Sequence, residues 1–167
     1  MRPESFARWS PDTPRTHTGF IVRMGAKADV EACTRLAVAI GAGTADAWRQ
    51  TLSRTVRDGQ QRALFVADAS GQVVGYGRVV CTDAGPAVPA DTAVPRAAPP
   101  GWYLLGLVVD EAWRRRGIGE ALTKARMAWV SERSSRLYCF TSHANLASQA
   151  LDLLEAPVQE LLGGRER

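Results

Sequence analysis

Apolar and polar positions change their period several times along the chain, and each change predicts an element. Residues 1–19 show little periodicity and hold three prolines, which reads as an irregular arm ahead of a single domain over 20–167. Phe20-Ile21-Val22-Arg23-Met24 is a short strand. Val30, Cys33, Ala37 and Ile40 then recur at helical spacing, with Asp29 placed to cap the helix N-terminus. Gly41-Ala42-Gly43 breaks that helix, and Thr44 opens a second one with the stripe Trp48, Leu52 and Val56. Two apolar runs, Ala63–Ala67 and Val73–Val80, join around Ser70-Gly71 as a hairpin. Residues 84–101 carry five prolines and form a connection too long for a tight turn. Trp102–Val109 is an apolar, β-branched strand that ends at Asp110. A helix burying Ile118, Leu122, Ala125 and Trp129 follows, then a fifth strand at Arg136–Thr141. The last helix starts at Asn145 and aligns Ala147, Ala150, Leu151 and Leu154 on one side. Strands and helices in the order βααβββαβα make a mixed α/β domain, one sheet with helices on its faces.

Composition changes this picture little. A chain of 167 residues, 46% hydrophobic and 23% charged, suits one soluble domain with a core of its own. No apolar run approaches the roughly 20 residues of a membrane span, and the first residues lack the apolar stretch of a signal peptide. The cytoplasm is the expected compartment. Cys33, Cys81 and Cys139 have no metal-like spacing and fall in predicted helix or strand, so buried free thiols are expected. The net charge of +4 is scattered and almost wholly arginine, with Lys27 and Lys124 as the lysines. That distribution favours an anion pocket over a nucleic-acid surface.

The anion pocket has an address. Arg114-Arg115-Arg116-Gly117-Ile118-Gly119 lies between a strand and an amphipathic helix. A glycine-bearing turn in that position aims the unpaired N–H groups and the positive end of the helix dipole at one spot, which suits a pyrophosphate. Arg114, Arg115 and Arg116 add fork-shaped donors around it. The dinucleotide fingerprint needs glycine or alanine where Leu122 stands, and a Walker A loop needs a Gly-Lys-Ser/Thr that is absent.

The pattern that fits is Val-x-x-x-x-Arg-x-x-Gly-x-Gly, Val109 through Gly119. It resembles the acetyl-coenzyme A loop of the GNAT superfamily of N-acetyltransferases, and the element order resembles that fold from Phe20 to about Leu154. The resemblance implies a mostly antiparallel central sheet flanked by helices, with acetyl-CoA as cosubstrate. It also implies that backbone groups of Leu107, Val108 and Val109 hold the pantetheine and acetyl oxygen, and that Arg114 to Gly119 hold the phosphates. Asn145 and Ser148 match the family's Asn-x-x-Ala/Ser pattern in the last helix and join the cofactor-binding set. Asp152 stands where members place the tyrosine that protonates the departing thiolate, and Ala156-Pro157 replaces Gly-Phe. The chain ends ten residues after Pro157, where members add two more strands. The C-terminal strands are therefore expected to be short or missing, with that part of the site absent or completed by a second protomer in a homodimer.

Catalytic roles follow less directly. Tyr103 stands where some protein-modifying members carry a glutamate, and a phenol of pKa near 10 is a poor base at neutral pH. It shapes the acceptor pocket, orders a water or packs at the core edge. Asp152, ionised in water, would repel a thiolate and is either a passive helix residue or part of the reaction. Cys139 has no basic partner in sequence and reads as core, so no acyl-enzyme is expected. The implied function is transfer of an acetyl group to the primary amine of a small molecule, with an aminoglycoside-type antibiotic as the class to test first. A cationic acceptor would need acids such as Asp46, Asp83 or Glu120 in its pocket. The alternatives are a protein N-terminus or lysine as acceptor, or an acetyl-CoA-binding module with impaired catalysis.

Overall fold

The computed structural model describes residues 19–83 and 99–139. Within them a five-stranded sheet follows chain order: β1 (Ile21–Met24), β2 (Arg62–Ala69), β3 (Gln72–Thr82), β4 (Gly101–Val109) and β5 (Tyr138–Cys139). The first three pairings are antiparallel and the β4–β5 pairing is parallel, Tyr103 beside Tyr138 and Leu104 beside Cys139. Helices α1 (Val30–Ala39) and α2 (Ala45–Arg57) precede β2, and α3 (Ile118–Ser131) links β4 to β5. A mixed, mostly antiparallel sheet flanked by helices is thus the fold.

Alternation along β2 explains why its sequence looks apolar throughout. Ala63, Phe65 and Ala67 pack toward α3 with Ile118, Leu122, Met127 and Val130. Leu64 and Val66 pack on the other face with Val30, Cys33, Ala37 and Leu52 of α1 and α2. A strand covered on both faces has no polar side to show. Each fully buried Leu or Ile contributes about 2 kcal/mol, so the two small cores brace the sheet from both sides.

Local signals act as the sequence suggests, with one correction. Ser70 (φ 53°) and Gly71 (φ 88°) make the two-residue left-handed turn that matches strand twist. The Thr44 hydroxyl accepts from Ala47 N at 3.4 Å and caps α2. Asp29 occupies the α1 N-cap position but makes no side-chain cap: it ends a 3-10 turn, Lys27–Asp29, and its carboxylate reaches back to Ala26 N at 2.7 Å. Arg23 explains the difference. Its guanidinium holds Asp29 at 2.8 and 2.9 Å and Asp68 at 2.9 Å, so the charge pair outcompetes the cap. The α3 helix starts at Ile118, the first residue of its apolar stripe.

Candidate active site

The chain after β4 is built to expose backbone donors. Asp110 Oδ1 accepts from Ala112 N at 2.9 Å and opens a 3-10 turn, Glu111–Trp113. The chain then passes through left-handed conformations at Arg115 (φ 65°) and Gly117 (φ 80°). Gly117 is the N-cap of α3 and offers no side chain to its first amides; the helical ladder begins with Ala121 N on Gly117 O at 2.9 Å. The N–H groups of Ile118, Gly119 and Glu120 precede that ladder and carry the positive end of the helix dipole. A Cβ at Gly119 would meet only Leu107, at 3.7 Å. The fold itself does not demand glycine there, and the bare backbone leaves the helix end open to a ligand.

The three arginines are not equivalent. Arg116 lies over the Trp113 ring at 4.6 Å, Arg114 is half-buried and Arg115 is exposed. Glu120, an acid in the first turn, is held by Lys124 at 3.1 Å, which blunts its repulsion toward an anion.

The second feature is a bulge in β4. Tyr76 pairs with Val108 but Arg78 pairs with Leu105, so Gly106 and Leu107 together face Gly77. Gly106 takes φ 58°, a left-handed conformation that lets one residue slip out of register. Past the bulge, Asp110 N donates to Val74 O at 2.9 Å, so Val108 also turns its peptide groups to β3. Val109, between them, turns its N–H and C=O to the opposite edge. The β4–β5 pairs among the described residues are Tyr103–Tyr138 and Leu104–Cys139, before the bulge. The edge of β4 around Leu107 and Val109 therefore lies next to the α3 N-terminus, with Leu107 touching the Gly119 position.

Tyr103 is 1% exposed, stacks on Tyr138 with ring centroids 5.2 Å apart, and donates its hydroxyl to the Pro99 carbonyl. Burial pushes its pKa up, followed by the effect of Tyr138. Such a phenol packs and positions; it does not take a proton at neutral pH. Asn145, Ser148 and Asp152 lie outside the described residues. Cys33 is fully buried, and burial pushes its thiol up to about 12, far from a nucleophile.

Two arginines escaped the sequence reading. Arg126 of α3 is 3% exposed and lies flat on Gly77, where a Cβ would stand 2.8 Å from its Nε. It donates to Leu122 O at 3.2 Å, Thr123 Oγ1 at 3.0 Å and Arg78 O at 3.4 Å. Arg78 points to the other face of the sheet. Its guanidinium lies 5.1 Å from the Trp48 ring centroid, and its Nε is buried without an acceptor among the described residues. Tyr76 Oη on the same face is likewise buried without a partner, and its ring packs edge-on against Trp48 at 6.5 Å. Leaving one such donor unsatisfied costs about 1–3 kcal/mol. The available signal was a charged residue amid Gly75-Tyr76-Gly77-Arg78-Val79-Val80, an otherwise apolar strand.

Comparison with known proteins agrees with this geometry. The model of the acetyltransferase (GNAT) family matches residues 31–151. The fold is similar to that of aminoglycoside N-acetyltransferase AAC(6')-Iy in complex with CoA, with 21% identity and a TM-score of 0.63 over 89% of this chain and 88% of that one. It is also similar to the aminoglycoside 6'-N-acetyltransferase AAC(6')-IG from Acinetobacter haemolyticus, with 15% identity and a TM-score of 0.61 over 87% and 91%. A transcriptional regulator from Bacillus halodurans shares the fold too, with 17% identity and a TM-score of 0.60 over 79% and 88%. No curated protein sequence matches the chain. Among the described residues no helix is long and apolar enough to cross a membrane. With a family match over most of its length, the uncapped α3 terminus and the bulged β4, the chain belongs to the GNAT family and is an acetyl-CoA-dependent N-acetyltransferase.

Proposed function

We propose that the protein moves the acetyl group of acetyl-CoA to the primary amine of a small molecule by direct attack in a ternary complex. The observation that carries this reading is the bulge at Gly106, which turns the Val109 peptide groups to the β4 edge beside the uncapped α3 terminus. The amides of Ile118, Gly119 and Glu120, with Arg114 and Arg115, hold the pyrophosphate. Backbone groups of Leu107 and Val109 line up the pantetheine and polarise the acyl oxygen. The neutral amine attacks the acyl carbon, the C–N bond forms as the C–S bond breaks, and the amine's proton leaves by way of water. Tyr103 shapes the floor beside this edge. Asn145 and Ser148 complete the cofactor side, and Asp152 is passive. Buried Cys33 supports a mechanism without an acyl-enzyme.

Aminoglycosides form the second reading, because two of the similar structures are named for them. Release of free CoA against a panel of amines tests both, and an inert protein that still binds CoA would leave only a binding module. The cradle has its own test. Gly119→Asp puts a carboxylate on the helix end without a steric clash, so CoA affinity should fall about 100-fold, roughly the weight of a few charge-assisted hydrogen bonds. Unchanged affinity by calorimetry in the folded variant rules the cradle out. Arg115→Ala should cost less, about 1 kcal/mol for one exposed charge contact.

A further inference from the structure

The guanidinium of Arg78 sits against the bulge that marks the reaction edge. A Cβ at Gly106 would lie 3.2 Å from its Nε and 3.4 Å from Nη2. Trp48 of α2 covers it from the other side. No ion pair joins Arg78 to a carboxylate among the described residues. Two of the acids a cationic acceptor would need are engaged elsewhere: Asp46 pairs with Arg49 at 2.6 Å on the exposed side of α2, and Glu120 with Lys124. Burial lowers the proton affinity of Arg78, yet a guanidinium stays charged at any physiological pH. The fold thus carries a half-buried cation with an unused donor, and beside it the unused hydroxyl of Tyr76.

We propose that Arg78 anchors a carboxylate of the acetyl acceptor, packed against Trp48, so that the acceptor is an acidic primary amine and not a polycation. A planar carboxylate takes two guanidinium donors at once and supplies the counter-charge that Arg78 lacks among the described residues. Anchoring the acid end at Gly106 fixes how far along β4 the amine can sit, so the same contact sets reach as well as charge. The proposal rests on the transferase reading, and the test separates the two.

Primary amines are offered in matched pairs, each carboxylic acid against its amide, with a polyamine and an aminoglycoside alongside. Wild type should favour the acid of each pair by at least 10-fold in kcat/KM. Arg78→Gln should erase that ratio while leaving the amides within about 3-fold, and Arg78→Lys should restore part of it. A packing role for Arg78 would lower acid and amide alike, and that result overturns the proposal. So does a wild type that prefers the amides or the polycations. Calorimetry of the CoA-bound protein with the acid and the amide gives a readout that does not need turnover. Equal binding of the two sinks the anion site whether or not transfer occurs. Tighter binding of the acid, lost in Arg78→Gln, with no amine acetylated, would leave the anion site standing and overturn the transferase reading.

Discussion

Arg126 and Arg78 lie on opposite faces of the sheet at almost the same level, and they have opposite fates. Arg126 is closed off between α3 and Gly77 with its donors on Leu122 O, Thr123 Oγ1 and Arg78 O. Arg78 has an indole on one side, the Gly106 backbone on the other, and a buried Nε with no acceptor among the described residues. Burial of a charge alone does not mark a functional residue. What separates the two is whether the fold supplies the hydrogen bonds that water supplied before folding. A satisfied guanidinium fastens helix to sheet; an unsatisfied one waits for a ligand.

The contrast can be broken most forcefully at Arg126. Arg126→Met should cost about 3 kcal/mol in urea unfolding, combining lost charge-assisted bonds with imperfect filling of the space over Gly77. A loss under about 1 kcal/mol would mean that its bonds do not fasten the helix.

Gly106→Ala comes next, with an expected loss of about 2 kcal/mol from the left-handed backbone and the contact with Arg78. Combined with Arg78→Gln, part of that loss should return, because the two share the same space. Strict additivity in the double-mutant cycle would separate the bulge from Arg78.

A third arginine sharpens the comparison by pH. Arg23, 36% exposed, holds Asp29 and Asp68, and its hydrogen bond is the chief reason the Asp29 carboxyl lies below the usual carboxylate range. A lowered folded pKa gives stability that is full above the unfolded value near 4 and fades as pH falls through the folded one. Arg23→Met should therefore cost about 1–2 kcal/mol at pH 7 and progressively less below pH 4, read from urea midpoints across that range. A difference independent of pH would remove the charge pair as its source.

Arg78→Gln should have the smallest effect on stability, within about 1 kcal/mol, because the lost contact with Trp48 is offset by removal of an orphaned donor. A loss above about 2 kcal/mol would make Arg78 as structural as Arg126, and the contrast would vanish.

Periodicity made most of the described fold legible. The stripes of α1 and α2, the Ser70-Gly71 turn, the Thr44 cap and the strand before the arginine loop all arise from forces acting within a few residues. The glycine-bearing turn and open helix end on which the proposed cradle rests were legible for the same reason, being contiguous in sequence. Asp29 stands at the α1 N-cap as read, but its carboxylate is drawn to Arg23, which comes from a different element. The bulge hid inside an apolar run, since Gly106 slips only when β3 pairs beside it. Arg78 and Arg126 depended on which face of the sheet each meets, and that is decided by packing across elements far apart in the chain.

The sheet's strand order carries a kinetic consequence. All four pairings join strands consecutive in the chain, but β2 and β3 close over a two-residue turn, whereas β1–β2 closes over α1 and α2, and β5 returns parallel to β4 only after α3. Pairing that closes a long crossover pays its loop entropy late. The β4 edge proposed for the cofactor thus borders one of the two seams that close late in refolding. Amides of Tyr138 and Cys139 are expected to exchange with solvent sooner than those of β2 and β3. A coenzyme held between β4 and the α3 terminus would slow that exchange, acting as a clasp on a late joint of the sheet.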